Sequence, residues 1–164
     1  MKHCAFWGNP FKKPGADVDS EIKFLSSVAI FNTLSTRQLE KIHKLIHVRR
    51  YEEGEIIFRQ GDPGVGMYIV SEGHVDIYNE YNDMTRRKIA EIHRGDFFGE
   101  ISLLNDSPRS ATTVALTKTT LFGLFRPDLL GLIDSDTKLG FRFIYRLSQI
   151  VAERLRLTSL ESTG

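Results

Sequence analysis

Short runs of β-branched, aliphatic and aromatic residues, each ended by turn-forming residues, fill positions 48 to 124 of the chain. Six of these runs predict strands, at positions 56–58, 67–70, 75–78, 88–92, 111–114 and 119–124. The breaks between them contain the glycine, proline, aspartate and asparagine that turns favour, as in Gly61-Asp62-Pro63-Gly64. Many short strands at such spacing are typical of a sandwich or barrel. The sequence therefore predicts a mainly β protein with flanking helices, folded as a β jelly-roll (double-stranded β-helix) barrel over about residues 48–125.

Two helices are predicted before the barrel. Ser35-Thr36-Arg37-Gln38 fits a capping box, in which the serine and glutamine side chains satisfy free backbone N–H groups, so a helix should begin at Ser35. Apolar residues between Ile22 and Val28 follow a helical period and predict a shorter amphipathic helix before it.

A long helix is predicted after the barrel, over about residues 137–157. The apolar residues that define its face are Phe143, Ile144, Leu147, Ile150, Val151 and Leu155. This face has more apolar surface than one small barrel can cover. We therefore expect a homodimer through the C-terminal helix, and the alternative is that the whole face packs on its own barrel.

Composition limits the chain to one domain and few classes of partner. Its 164 residues suffice for one domain with a core, so we expect an N-terminal extension over residues 1–18 and a single domain over 19–164, with C-terminal helices at about 127–159. Lys and Arg (22) balance Asp and Glu (21), so no charge excess favours nucleic acid or an anionic membrane. Cys4 is the only cysteine, and no stretch approaches the roughly 20 apolar residues of a membrane helix, which predicts a cytoplasmic protein with no membrane contact.

One segment between two predicted strands has the residue types of an anion site. Gly99 lets the backbone approach a ligand, and residues 101–104 can form one helical turn whose free N–H groups point at an anion. Arg109 offers a guanidinium fork to a phosphate, and Ser110 adds a hydroxyl donor. Glu100 would be repelled there unless it accepts hydrogen bonds from a group such as a ribose hydroxyl. From these residues alone, a plain salt bridge between Glu100 and Arg109 remains open.

The same segment closely resembles the phosphate-binding cassette of cyclic nucleotide-binding domains, found in bacterial catabolite activator proteins, protein kinase A regulatory subunits and cyclic nucleotide-gated channels. The resemblance rests on Phe98-Gly99-Glu100-Ile101-Ser102-Leu103-Leu104 and Pro108-Arg109-Ser110-Ala111-Thr112. It extends upstream through Phe58-Arg59-Gln60-Gly61-Asp62 and Ser71-Glu72-Gly73-His74-Val75, which are similar to the glycine-bearing turns of that family. It covers about residues 31–159.

The resemblance implies a role for each matching residue. Glu100 would accept a hydrogen bond from the ribose 2′-hydroxyl, and Arg109 would hold the cyclic phosphate. The phosphate cradle would be completed by Ser110 and by the backbone of Gly99, Ile101 and Ser102. Thr158 and Ser159 are similar to a Thr-Ser pair that reaches the adenine in catabolite activator proteins, one of the two from the partner subunit. Serine after the arginine resembles the bacterial cAMP receptors, so cAMP is favoured over cGMP as the ligand.

We therefore expect a non-catalytic sensor without a cofactor, in which the nucleotide stabilises one placement of the C-terminal helices. Transcription factors of the family continue into a helix-turn-helix module after this helix, and the sequence here stops at Gly164. The expectation is that this chain alone binds no nucleic acid and that a downstream protein partner reads it. The alternative is a degenerate member of the fold that serves as a dimerisation or docking module without nucleotide.

The histidines and the basic stretches suggest two rival interpretations, a metal enzyme and a nucleic-acid-binding protein. A cupin-like metal enzyme would need ligands among His43, His47, His74 and His93, yet no Glu completes a zinc-protease pattern, so we expect solvated histidines with no catalytic residue and no metal. The basic stretch at 86–88 is short and has acids nearby, so we expect a solvated strand end rather than a nucleic-acid surface.

Overall fold

The computed structural model describes residues 18–81 and 85–161. Most of the predicted N-terminal extension, including Cys4, lies outside the described residues. In the described part, no helix is both long enough and apolar enough to cross a membrane.

Two antiparallel four-stranded sheets form the body of the protein. The strands are β1 (His47–Tyr51), β2 (Ile56–Phe58), β3 (Gly66–Glu72), β4 (Val75–Glu80), β5 (Arg86–Ile92), β6 (Phe97–Phe98), β7 (Thr112–Ala115) and β8 (Thr119–Phe125). One sheet has the order β1-β8-β3-β6 and the other has the order β2-β7-β4-β5. The predicted mainly β jelly roll is confirmed, and all six predicted strands are present.

Two strands were not among the predicted runs. Strand β1 has the sequence His-Val-Arg-Arg-Tyr, in which polar residues hide the strand pattern. Strand β6 is only two residues long, although both of its phenylalanines are buried. Short or polar strands like these are fixed by their neighbours in the sheet, since β6 pairs with β3 and β1 pairs with β8.

Within residues 18–81 and 85–161, five helices flank the sheets. They are α1 (Val18–Ser27), α2 (Thr36–His43), α3 (Ile101–Leu104), α4 (Arg126–Ser135) and α5 (Thr137–Glu161). The predicted capping box is present, because the Ser35 side chain accepts from the Gln38 backbone N–H and the Gln38 side chain accepts from the Ser35 N–H. Asp136 separates the last two helices, and its carboxylate accepts from the Leu139 N–H at the start of α5.

The larger core cluster joins one sheet to α1, α2, α4 and α5. Phe143 and Leu147 of α5 are fully buried in it, and the Phe143 ring stacks on Phe31 at a centroid distance of 5.6 Å. Ile144 and Val151 pack against the edge of this cluster, whereas Leu155 is exposed. Most of the predicted apolar stripe therefore packs on the core of its own subunit, two residues fully buried and three partly buried, and the last turns of α5 project beyond the core.

We expect Leu147→Ala to lower the free energy of unfolding by about 2–5 kcal/mol, because it leaves a cavity where α5 meets the core. Urea unfolding followed by circular dichroism measures the change. The matched control is Leu130→Ala on the exposed side of α4, which should stay within about 0.5 kcal/mol of the parent chain. Equal losses in the two variants would contradict the packing described.

Candidate anion-binding site

A cavity of about 500 Å³ lies between α3, α5 and the inner face of the β4–β5 hairpin. Its wall includes seven of the eight predicted site residues, namely Gly99, Glu100, Ile101, Ser102, Arg109, Ser110 and Thr158. The eighth, Ser159, is not part of the wall, and its hydroxyl donates to the Leu155 carbonyl at 2.9 Å. The fold thus brings residues from two distant stretches of the chain to one cavity.

The Arg109 side chain lies almost entirely inside the protein, with 5% of its surface exposed. Its Nη1 donates to the carbonyls of Gly66 at 2.7 Å and Gly99 at 3.2 Å. The guanidinium also lies over the Phe58 ring, 4.0 Å from its centroid. Backbone hydrogen bonds to the turn at residues 59–62 fix the segment that carries Arg109, since its N–H donates to Asp62 and its carbonyl accepts from Gly61.

This buried cation has no carboxylate partner. In the described part of the chain the arginines that form ion pairs are Arg126, Arg154 and Arg156, and Arg109 is not among them. Its Nε is buried without a hydrogen-bond partner. Burial lowers the pKa of Arg109, yet a guanidinium stays protonated in proteins. A buried charge that keeps free donor capacity beside a cavity fits an anionic ligand.

Glycine and the short helix α3 shape the floor of the cavity. Gly99 has a φ of +76°, and a Cβ added there would lie 2.6 Å from Arg109 Nη1, so no other residue fits without strain. The first N–H groups of α3 have no acceptor within their own helix, and they begin directly after Glu100. Ser102 is buried, and its hydroxyl donates to the Ser107 carbonyl, which leaves its backbone rather than its side chain for a ligand.

Glu100 pairs with an arginine of the long C-terminal helix rather than with Arg109. Its Oε1 accepts from Arg154 Nη1 at 3.0 Å, and the Glu100 side chain is 14% exposed. The Arg154 guanidinium also donates to the Phe97 carbonyl and lies 4.1 Å from the centroid of the Phe97 ring. The salt bridge between Glu100 and Arg109 that the residues alone left open is therefore not formed.

Much of the remaining wall is apolar. Ile89, Ala90 and Ile92 of β5 form one side, and Leu157 of α5 lies in the wall with Thr158. The cavity is thus charged at the α3 end and apolar towards the hairpin and helix α5, which suits a ligand with an anionic and a flat apolar end.

A second arginine ties α3 to the start of α4. Arg126 is the first residue of α4, and its Nη2 donates to the carbonyls of Ser102 at 2.5 Å and Asn105 at 2.9 Å. Its Nη1 pairs with Asp106 at 2.8 Å. A cation is favoured at these carbonyls because they are the free acceptors at the end of α3. The floor of the cavity and the first of the two C-terminal helices are thereby joined.

Arg126 and Arg154 were not predicted as site residues. Arg126 comes directly after β8, where the sequence does not distinguish it from a solvated surface arginine. Arg154 belongs to a helix with several other charged residues. The available signal was position in the chain, because Arg126 follows the last predicted strand closely and Arg154 lies four residues, about one helical turn, before Thr158.

Known proteins are similar to this chain over the region that contains the strands and most of the cavity wall. The profile of the cyclic nucleotide-binding domain family matches residues 48–136. The cyclic AMP receptor protein of Thermus thermophilus is 34% identical over 132 residues, which are 80% of this chain and 59% of that protein. The chain therefore spans less than two thirds of the length of that relative.

Two solved structures share the fold. The crystal structure of the Thermus thermophilus catabolite activator protein superposes with a TM-score of 0.75 and 33% identity, covering 82% of this chain and 62% of that one. The regulatory domain of Toxoplasma gondii protein kinase A, solved with cAMP, superposes with a TM-score of 0.67 and 25% identity, covering 80% of this chain and 50% of that one.

We expect Arg154→Ala to free the end of α5 from the cavity. A partly exposed ion pair contributes up to about 1 kcal/mol, so amides after residue 154 should exchange about two- to fivefold faster, as measured by hydrogen exchange and mass spectrometry. Arg156→Ala is the matched control, because it removes only the pair with Glu153 on the same helix. Unchanged exchange in Arg154→Ala would show that this contact does not hold the helix end.

Proposed function

The chain belongs to the cyclic nucleotide-binding domain family, and on that premise we propose that it is a non-catalytic cytoplasmic sensor that binds cAMP in the cavity between α3 and α5. The observation that carries the proposal is the buried Arg109 guanidinium, which lines the cavity, forms no ion pair among the described residues and has a buried Nε without a hydrogen-bond partner. Residues 19–164 act in this proposal as one binding domain after the extension at 1–18.

The cyclic phosphate binds at the charged end of the cavity. Arg109 donates to it, and the backbone N–H groups of Gly99, Ile101 and Ser102 with the Ser110 hydroxyl complete the cradle. Glu100 accepts from the ribose 2′-hydroxyl. The Glu100 carboxylate can lie beside a phosphate site because Arg154 balances its negative charge on the other side.

The base lies towards the apolar wall. Ile89, Ala90 and Ile92 offer a surface for a flat ring, and Thr158 lies at the edge of the cavity, where its hydroxyl donates to the Arg154 carbonyl and its oxygen can accept from the base. Ser159 lies one residue further along α5, and in our proposal it contributes from the partner subunit. Ser110, rather than threonine, follows the arginine as in the bacterial cAMP receptors, and the names of the relatives include cyclic AMP, so cAMP is the proposed ligand and cGMP the weaker one.

Binding is transmitted through the two arginines that touch the cassette. Arg154 shares Glu100 with the proposed ribose contact, so a nucleotide that orders Glu100 also favours the docked position of α5. Arg126 joins α3 to α4 at the barrel-to-helix junction, and Asp136 marks the break before α5. A ligand shifts such an equilibrium only by its difference in affinity for the two positions, and the shared Glu100 supplies that difference.

The output surface is the face of α5 that does not touch the core. Phe141, Tyr145 and Leu155 are each more than half exposed, and the rings of Phe141 and Tyr145 stack at 5.7 Å. With Ser148 and Ala152 they follow spacings of four and three residues, which is the pattern of a coiled-coil seam. We therefore propose a homodimer through this face, with a downstream protein reading the position of α5 and no nucleic acid bound by this chain alone.

Arg109→Ala should weaken cAMP binding by at least about tenfold, because a hydrogen bond to a charged group contributes about 1.5–3 kcal/mol. Isothermal titration of protein stripped of nucleotide measures this, with cGMP titrated in parallel. Arg37→Ala removes an exposed arginine of α2 and serves as the control.

Arg109→Lys keeps a buried cation but lacks the guanidinium fork, so this variant should fold and should also bind cAMP poorly. Full affinity in both variants would contradict the assignment of the phosphate, and absence of binding in the folded parent chain would favour a docking module.

The Glu100 assignment predicts that the parent chain binds 2′-deoxy-cAMP more weakly than cAMP, by about tenfold, since a charge-assisted hydrogen bond is lost. Glu100→Gln should lower the affinity for cAMP and narrow this difference while the phosphate contact persists. Competition with a fluorescent cAMP analogue gives both affinities. Equal affinity of the parent chain for the two nucleotides would contradict the role given to Glu100.

The double variant Phe141→Glu/Tyr145→Glu should convert a dimer to a monomer, because it places charges on the proposed seam. Sedimentation equilibrium at micromolar concentration measures the mass, and circular dichroism checks that α5 is intact. Phe141→Leu/Tyr145→Phe keeps the seam apolar and should stay dimeric. A parent chain that is monomeric throughout would overturn the dimer.

A further inference from the structure

Two histidines and a glutamate lie together on the outer face of the β4–β5 hairpin. The hairpin has a register irregularity at Ile89, and after it strand residues alternate between faces, so Ala90 and Ile92 face the cavity together with Ile77. The strand register pairs Val75 with Ile92 at the end of the ladder. The residues just beyond this pair, His74 and His93, therefore lie opposite each other. Glu91 lies two residues before His93 and therefore on the same face. The cluster is thus separated from the nucleotide cavity by the thickness of one sheet.

The three side chains are close enough to share one ion. The Nδ1 atoms of His74 and His93 are 2.7 Å apart. Glu91 Oε1 lies 3.8 Å from His74 Nδ1 and 3.7 Å from His93 Nε2. Ligand atoms 2.0–2.2 Å from a tetrahedral metal are about 3.3–3.6 Å from one another. One ligand atom from each of the three residues lies within 4.8 Å of the other two. To bind one ion, the two rings would have to separate by about 0.6–0.9 Å, and His93 would have to rotate so that one nitrogen faces both partners.

The pairing of the two imidazoles also suits a metal better than protons. Two ring nitrogens 2.7 Å apart form a hydrogen bond only when one of them carries a proton and the other does not, because two facing N–H groups would clash. A divalent ion replaces that shared proton and accepts a lone pair from each ring. Zinc binds neutral imidazole and carboxylate together, whereas Mg²⁺ and Ca²⁺ prefer sites built of oxygen ligands alone.

Neighbouring residues hold the ligands in place. Lys88 donates to Glu91 Oε2 at 2.8 Å and also contacts Asp76, which leaves Oε1 turned towards the histidines. A metal ligand that is itself hydrogen-bonded in this way is oriented before the ion arrives.

The backbone of His74 is fixed by the neighbouring loop. Its N–H donates to Thr117 Oγ1 at 3.2 Å, and its carbonyl accepts from the Leu116 N–H at 2.9 Å. Gly73 before it has a φ of +84°, and a Cβ there would lie 2.5 Å from the Lys118 carbonyl. The turn that carries the first ligand is therefore held by the strand ends on both sides.

We propose that His74, Glu91 and His93 form a binding site for one divalent transition metal ion of the zinc type, with water as the fourth ligand. The site is independent of the proposed nucleotide site and lies on the opposite face of the same hairpin.

The test is isothermal titration of the full chain with Zn²⁺, in a buffer that does not bind metal and without a histidine tag. Every sample carries His3→Gln and Cys4→Ser, because these residues near the N-terminus are potential ligands of their own. We expect one Zn²⁺ per chain, and no binding of Mg²⁺ under the same conditions. Mutation of a residue that only hydrogen-bonds to a metal ligand typically lowers metal affinity about tenfold or more. His74→Gln and His93→Gln remove ligands themselves, so each should lower the affinity for Zn²⁺ by at least that factor.

The control is His47→Gln, which removes a histidine that pairs with Asp128 elsewhere in the fold and should keep full affinity. Substitution of Co²⁺ for Zn²⁺ reports the geometry, since its visible spectrum distinguishes four-coordinate from six-coordinate ions. Circular dichroism verifies that each variant is folded. No saturable Zn²⁺ binding in the parent, or equal affinity in the parent and the His74→Gln/His93→Gln double variant, would overturn the proposal.

Discussion

The charge of Arg109 has to be held inside the protein without a carboxylate, and the architecture around it follows from that requirement. Phe58 lies under the guanidinium, two backbone carbonyls accept from Nη1, and Nε keeps a donor free. Removing a charge from water is costly, and carbonyl and aromatic partners offset only part of the cost. In our proposal, an anion in the adjoining cavity is the missing partner. Gly99 is part of the same constraint, because any Cβ there would meet the guanidinium.

The two halves of the long helix α5 contact different parts of the molecule. Phe143 anchors its first half in the core, whereas its second half meets the cassette mainly through Arg154 on Glu100 and Phe97. A few polar contacts at the end of a well-anchored helix allow the end to move without unfolding the domain. In the proposed mechanism, the nucleotide acts at this weaker attachment.

Much of the architecture was predictable because its signals are local. The turn-broken strand pattern predicted the jelly roll, and the capping box at Ser35 located the start of α2. The structure brings residues 99–102, Arg109 and Thr158 to one cavity, and their roles towards a nucleotide stay predictions from the resemblance. The contacts of Arg126 and Arg154 were not predictable, because both join segments far apart in sequence and a surface arginine carries no pattern of its own. The meeting of His74 with His93 depends similarly on strand register.

The central claim is that the cavity recognises an anion through Arg109, and titration of the nucleotide-free parent chain with cAMP and with adenosine tests it most directly. Adenosine retains the base and the 2′-hydroxyl but has no phosphate. The account predicts saturable binding of cAMP and an affinity for adenosine at least about tenfold lower, since the charged hydrogen bonds to the guanidinium are lost. Equal affinities, or no binding of cAMP by folded protein, would contradict it.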